Sequence, residues 1–318
     1  MNWQTLIEQQ THLPPHNAEM GQKQLIPLPG ISLIQVAGEE ATSFLQNLLT
    51  NDVNALAVNQ AQLSGFCNPK GRLLTIFRLI RREQDFLIAL PQELAEAITQ
   101  RLTMFKLRSK VDISLVEDQH AFGLIADDAE LGAETHWHGK TVEEGLLVTQ
   151  PGQQARYLMI VDDAGCKAVA QWLDQGWQLG KEAAWQLQDI EAGLPMIFND
   201  SKESFTPQQV NLDLVDGVSF KKGCYPGQEV VARLHYLGSP SRRLFLGNIQ
   251  DTELPAINSA VTGENGETLG HVVQAQFTAD NQILCQLTMK LSGLEKAAML
   301  AGNEVQSISA LAEEPAAD

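Results

Sequence analysis

One cysteine carries the strongest chemical signal in the chain. Residues 221–229 read Lys-Lys-Gly-Cys-Tyr-Pro-Gly-Gln-Glu, which sets Cys224 behind two lysines, inside a turn and just ahead of a segment able to form a helix. Lys221 and Lys222 bring ammonium charge to the sulfur, and a helix start brings free N–H groups. Both favour a thiolate over a thiol. Gly223, Pro226 and Gly227 shape the turn and leave little side chain to screen the sulfur. A free cysteine that merely fills space is the alternative that the local residues leave open.

Two further constellations could serve a ligand. Asn68-Pro69-Lys70-Gly71-Arg72 is a turn between apolar segments carrying two cations, able to receive an anion or simply to close a surface hairpin. Trp185 precedes Ile190-Glu191-Ala192-Gly193-Leu194-Pro195. An aromatic face can stack a flat heterocycle, and a carboxylate can accept two parallel N–H bonds, although a core role for Trp185 is the plainer reading. His136 and His138 bracket Trp137 without a carboxylate cluster and read as an exposed loop. The chain holds no GxSxG, no Walker lysine loop and no GxGxxG in a strand-to-helix setting. The four cysteines (Cys67, Cys166, Cys224 and Cys285) form no CxxC pair, so no metal site is expected from this chain alone.

Charge narrows the partners. With 22 basic and 39 acidic residues the net charge is −17, which opposes nonspecific contact with nucleic acid phosphates and argues against DNA as a partner. Local basic runs remain at Arg101, Lys106, Arg108 and Lys110, and at Lys221, Lys222, Arg233, Arg242 and Arg243; such runs more often form solvated faces. The N-terminal residues have no basic start followed by an apolar core, and no apolar run reaches the ~20 residues that span a membrane. The expectation is a cytoplasmic protein with reduced cysteines and no membrane partner.

The elements that must position these residues alternate in type. At 318 residues two or three domains are expected. Residues 1–24 are polar and are expected to dock loosely. Strands are predicted at 31–36, 72–80, 86–90 and 111–116, with amphipathic helices after residue 41 and after Pro91. A second unit follows, with a strand at 157–161 and a helix whose inner face carries Cys166, Val169 and Leu173. This is α+β patterning with antiparallel sheet. Beyond Gly238 the segments 244–249, 269–276 and 283–289 read as strands, with Asn265-Gly266 as a hairpin turn, so a small barrel or sandwich is expected there. The predicted break separates 1–238 from 239–318, and the acidic tail LAEEPAAD is expected to be disordered.

The order of four segments resembles the YgfZ family, folate-binding proteins of the aminomethyltransferase (glycine-cleavage T-protein) superfamily. They are FLQNLLTNDV (44–53), NPKGRLL (68–74), DIEAGLPMI (189–197) and VSFKKGCYPGQEVVAR (218–233). The resemblance covers nearly all of the chain, is weakest at 117–150 and beyond 240, and is most specific at the cysteine stretch. It implies a GcvT-like ring of ferredoxin-like α+β modules with a C-terminal β-barrel. Tetrahydrofolate or a one-carbon derivative would be the cofactor, and the role would be assembly or maintenance of iron–sulfur enzymes, including one that methylthiolates tRNA. It also implies residue roles: Cys224 as the motif thiolate with Lys222 beside it, Trp185 against the folate, Glu191 reading the pterin, and Lys70 and Arg72 near the glutamate tail. Iron–sulfur enzymes or assembly proteins would then be the partners, and tRNA at most an indirect one. Two departures from the family pattern stand out. Ile31 occupies the place of a second folate-contacting tryptophan, and Leu73-Leu74-Thr75 stand where the superfamily has its catalytic aspartate. Thr75 cannot act as a carboxylate base, so aminomethyl transfer is not expected. A folate-dependent one-carbon transferase acting on tRNA or a small molecule is the competing reading.

Overall fold

The computed structural model describes residues 1–13, 23–126 and 136–311. The tail expected to be disordered falls, from residue 312, outside the described residues, as do residues 14–22 of the N-terminal stretch. Helices are α1 (Trp3–Thr11), α2 (Ala41–Gln46), α3 (Gln92–Lys106), α4 (Asp163–Ala170), α5 (Glu182–Glu191) and α6 (Gln228–Tyr236). The chain divides into two units. One comprises residues 1–44, 54–62 and 78–188; the other comprises 45–53, 63–77 and 189–318.

Alternation along single strands explains the first unit. In the strand Gln119–Ile125, Ala121 and Ile125 join one apolar cluster, while Phe122 and Leu124 join another on the opposite face. The same split recurs in the strand Arg156–Asp162, where Leu158 and Ile160 face one way and Tyr157, Met159 and Val161 the other. That strand belongs to a six-stranded sheet ordered 178–179, 24–27, 119–125, 156–162, 146–150, 139–141. Its inner face meets Leu33, Ile80, Leu87 and Ala89, carried by strands 31–37, 73–81 and 85–91 of a five-stranded sheet. α3 buries Leu94, Ala95, Ile98 and Leu102, and α1 and α4 cover the outer face of the six-stranded sheet through Leu6, Cys166 and Val169. Burying each such side chain contributes roughly 1.5–3 kcal/mol.

The N-terminal residues depart from the loose docking expected of them. Asn2 caps α1 by accepting from the Thr5 N–H at 2.9 Å, and Trp3 stacks on His120 with centroids 4.6 Å apart. Gln10 donates to Pro27 O and Gly180 O, both at 2.8 Å. A buried glutamine and two apolar contacts make too weak a pattern to read as an inward face.

The second unit holds a seven-stranded, barrel-like antiparallel sheet ordered 303–304, 298–300, 260–263, 268–277, 283–290, 242–249, 306–310. Gly266, at φ +74, closes the hairpin predicted at Asn265-Gly266. The sheet begins at Arg242, next to the break predicted at 239, but the unit around it also takes in 189–241 and two segments of the N-terminal half. No helix among the described residues is long and apolar enough to cross a membrane.

One ionisable contact in the first unit gives a pH dependence. At the start of α5, the Glu182 carboxylate accepts the Gly30 N–H at 3.0 and 3.2 Å, and burial pushes its pKa up to about 7 despite that bond. The native state therefore keeps a proton that the unfolded chain loses near its ordinary value of 4.5, so this group's contribution to stability falls as pH rises between those values. Glu182→Gln should gain stability relative to the parent on going from about pH 5 to about pH 8, measured by denaturant unfolding at each pH; a gap independent of pH would contradict this.

Candidate functional site

Cys224 is the one exposed cysteine; Cys67, Cys166 and Cys285 are buried, and burial pushes their thiols to about 12, 11 and 12. The loop that displays Cys224 is held from two sides, both within the second unit.

The first support is Lys222. Its side chain is buried, and Nζ donates to three backbone carbonyls: Gln46 O at 2.6 Å, Leu49 O at 2.6 Å and Asn51 O at 2.9 Å. The segment it grips is itself fixed. Thr50 Oγ1 donates to Gly217 O and accepts the Gly65 N–H, each at 2.7 Å, and Asn51 Nδ2 reaches Leu63 O and Asp216 O. Three ammonium protons against three carbonyls leave Lys222 committed to the backbone. It is thus an anchor of the loop and not the thiolate partner that its place in the sequence suggested. Burial lowers its pKa to about 8, with Asp52 pulling the other way, so the anchor is mostly charged at neutral pH. Tyr225 packs behind it, the ring centroid 5.5 Å from Nζ.

The second support is a glycine contact. Gly227 sits at φ +81 directly before α6, where a Cβ would lie 2.6 Å from Gly71 N and Gly71 Cα. Gly71, at φ +70, closes the Asn68–Arg72 turn, in which Asn68 Oδ1 accepts the N–H groups of Lys70 and Arg72 at 2.9 and 3.0 Å. The two motifs singled out in the sequence are therefore packed backbone to backbone. Lys70 is exposed at that turn, whereas the Arg72 guanidinium donates to Ser204 O at 2.6 Å and to Gln209 Oε1, which ties it to the scaffold.

The remaining predicted residues divide between the units. Glu191 ends α5 half-buried in the second unit, near carbonyls held by the barrel-like sheet: Gln286 Nε2 donates to Ile190 O at 3.1 Å, and Gln274 Nε2 to Leu194 O at 2.8 Å. Ile31 and Trp185 belong to the first unit and pack on its inter-sheet core. Trp185 is only 2% exposed. Arg156 lies over its ring at 4.7 Å from the centroid and Arg78 at 5.9 Å, while any side chain at position 123 would overlap the indole. These neighbours cover the ring, so the stacking role expected of Trp185 does not fit. Its buried Nε1 has no hydrogen-bond partner among the described residues. The sequence did not single out Arg78 and Arg156, which are buried and reach Gln150 Oε1 and Pro151 O at 2.6 Å each. Only their isolated positions in apolar strands could have signalled them. Thr75 is fully buried within its strand. His136 is exposed as expected, but Trp137 at φ +68 packs on the core. Among the described residues no three His, Cys, Asp or Glu side chains converge as metal ligands.

Comparison with known proteins places this arrangement. Over 291 residues the chain is 33% identical to "tRNA-modifying protein YgfZ" of Edwardsiella ictaluri, covering 87% of each. The chain belongs to the YgfZ family. The protein of the same name from Colwellia psychrerythraea is 31% identical over 281 residues (84% of this chain, 85% of the relative), and that of Photobacterium profundum is 30% identical over 275 residues, 83% of each. No protein-family model matches the chain. Among solved structures, aminomethyltransferase T of the glycine cleavage system from Bartonella henselae superposes with a TM-score of 0.74 at 18% identity, covering 94% of this chain and 86% of that one. YgfZ family membership thus goes with the GcvT-like α+β fold expected from the sequence.

The Lys222 anchor carries a direct prediction. Lys222→Met keeps the apolar stem but leaves one buried and two part-buried carbonyls without this donor, which should lower the unfolding free energy by about 2–4 kcal/mol in denaturant titrations. A loss below about 0.5 kcal/mol would mean that the anchor is dispensable.

Proposed function

We propose that this protein is a tRNA-modification factor of the YgfZ type that binds tetrahydrofolate and serves the assembly or maintenance of iron–sulfur enzymes, with Cys224 as the reacting group. One observation carries the reading: the chain buries three cysteines and spends a buried lysine and a glycine–glycine contact on presenting the fourth. Purely structural cysteines behave like the other three. A presented thiol that joins no group of three His, Cys, Asp or Glu side chains among the described residues suits transient work on a partner's cluster better than permanent ligation. The name of the relatives supports tRNA modification, and the resemblance of the sequence motifs to a folate-binding family supports folate.

Folate fits some of the residues named for it and not others. Within the second unit, exposed Lys70 offers an ammonium to an anionic tail and Glu191 offers a carboxylate to an amino-pyrimidinone edge. Stacking on Trp185 and an ionic contact from Arg72 are not part of the proposal. When bound, tetrahydrofolate would supply one-carbon chemistry at its N5–N10 edge; the chain's own contribution is to bind it and to hold the thiol.

Two measurements test these parts separately. In a strain lacking the protein, Cys224→Ala should fail to restore iron–sulfur enzyme activity, including tRNA methylthiolation, while unfolding at the same midpoint as the parent. Full rescue would sink the role of the thiol. For the ligand, tetrahydrofolate at about 100 times its dissociation constant should stabilise the native protein by about 2.7 kcal/mol, seen as a raised Tm. No shift at millimolar tetrahydrofolate would contradict the folate assignment.

A further inference from the structure

α6 buries Val231 and accepts a hydrogen bond from Gln208 Nε2 at the Val231 carbonyl, which fixes its inward side. Its outward side sets aliphatic residues beside exposed Glu229, Arg233 and His235, where a solvated helix face would be polar throughout. Val230, Arg233, Leu234 and Leu237 recur at i, i+3, i+4 and i+7, forming a single stripe. Leu237 is 83% exposed, neighbouring Tyr236 is 63% exposed and Val230 is 39% exposed. The stripe is about 10 Å long and starts where the Cys224 loop ends.

The stripe is rigidly coupled to the cysteine loop. Phe220, next to Lys221, stacks on His235 with centroids 3.6 Å apart and planes within 7°. Tyr236 Oη donates to Phe220 O at 3.2 Å. At the other end, a methyl on Gly71 would come 3.0 Å from Val230 Cβ, so the exposed Lys70 borders the stripe as well. The charge of this face runs against that of the chain. Lys70, Lys221 and Arg233 are exposed around the stripe, with Glu229 among them, on a chain of net charge −17.

We propose that the outward stripe of α6, with Lys70, Lys221 and Arg233 around it, docks the iron–sulfur protein whose cluster Cys224 serves, through an apolar centre rimmed by carboxylates on that protein. This rests on the reading of Cys224 given above and adds where the partner sits. Aliphatic groups at the centre and cations at the rim match the anatomy of a protein interface. Nucleic acid is the competing occupant, since Lys70, Lys221 and Arg233 could meet phosphates and Tyr236 could stack a base, but the aliphatic centre of Val230, Leu234 and Leu237 offers it neither charge nor stacking surface. A second copy of this chain is disfavoured by repulsion between two molecules of charge −17.

The test pairs a binding assay with rescue of the deletion strain. The probe is a purified iron–sulfur tRNA methylthiotransferase with its cluster in place. Val230→Ser/Leu237→Ser should weaken its binding at least tenfold, and Arg233→Glu should do so more strongly at low salt than at high salt. Cys224→Ala should bind as the parent does. In the strain, the double serine variant should lose rescue while keeping the parental unfolding midpoint. Undiminished binding or full rescue by the double variant, with Cys224→Ala still inactive, would overturn the docking surface and leave the role of the thiol standing. Rescue by both variants would remove that role too. Transfer RNA binding that Arg233→Glu weakens and the serines do not would overturn the proposal in favour of a nucleic-acid face, and a dimer lost in the double variant would overturn it in favour of self-association.

Discussion

An ammonium group inside a protein must find acceptors, and Lys222 finds three in one turn of backbone. That constraint organises the surroundings of Cys224. The carbonyls come from the end of α2 and the residues just after it, where a helix leaves its last C=O groups without internal partners. A lysine reaching in from the 217–222 segment closes that deficit and in the same act places the next two residues, Gly223 and Cys224, at the surface. Thr50 and Asn51 complete the joint by bonding to Gly217 and Asp216 on one side and to Gly65 and Leu63 on the other. The thiol is thus exposed because its neighbour is buried.

The same logic gives the glycines their work. Gly227 and Gly71 meet at a distance no side chain would allow, both in left-handed backbone, so the start of α6 and the Asn68–Arg72 turn become one rigid piece. Several residues in the segments that resemble the family serve this frame. Arg72 holds Ser204 and Gln209, and Asn68 holds its own turn. What the frame leaves outside it are Lys70, Lys221 and Cys224 on the loop and turn, with Arg233 on α6. These are the groups free to meet another molecule.

Much of the fold was legible because period-2 and period-3.6 patterns dominate its strands and helices. The strands at 31–37, 73–81, 85–91 and 283–290, the helix after Pro91 and the Asn265-Gly266 turn lie where their residues place them. α1 was not legible, since its anchoring depends on a buried glutamine and a Trp3–His120 stack made across distant sequence. At the candidate site the sequence singled out Cys224 and the turn at Asn68–Arg72, which the fold packs together, but it did not foresee the bonds of Lys222 to the backbone. Proximity in sequence suggested a lysine for the sulfur, whereas tertiary structure supplied three backbone carbonyls as acceptors. Trp185 shows the same limit from the other side: its aromatic ring suggested a stacking surface, but Arg78, Arg156 and Gly123 converge on it only in the folded chain.

The central claim is that the Lys222 ammonium fixes the presentation of Cys224. Amide hydrogen exchange of the Lys222→Met variant, followed by mass spectrometry, reads this most directly. Protection should fall in segments 45–53 and 217–227 by more than any general loss seen in the barrel-like sheet at 242–310. Unchanged protection in both segments would show that the loop is held by something else and would contradict the account.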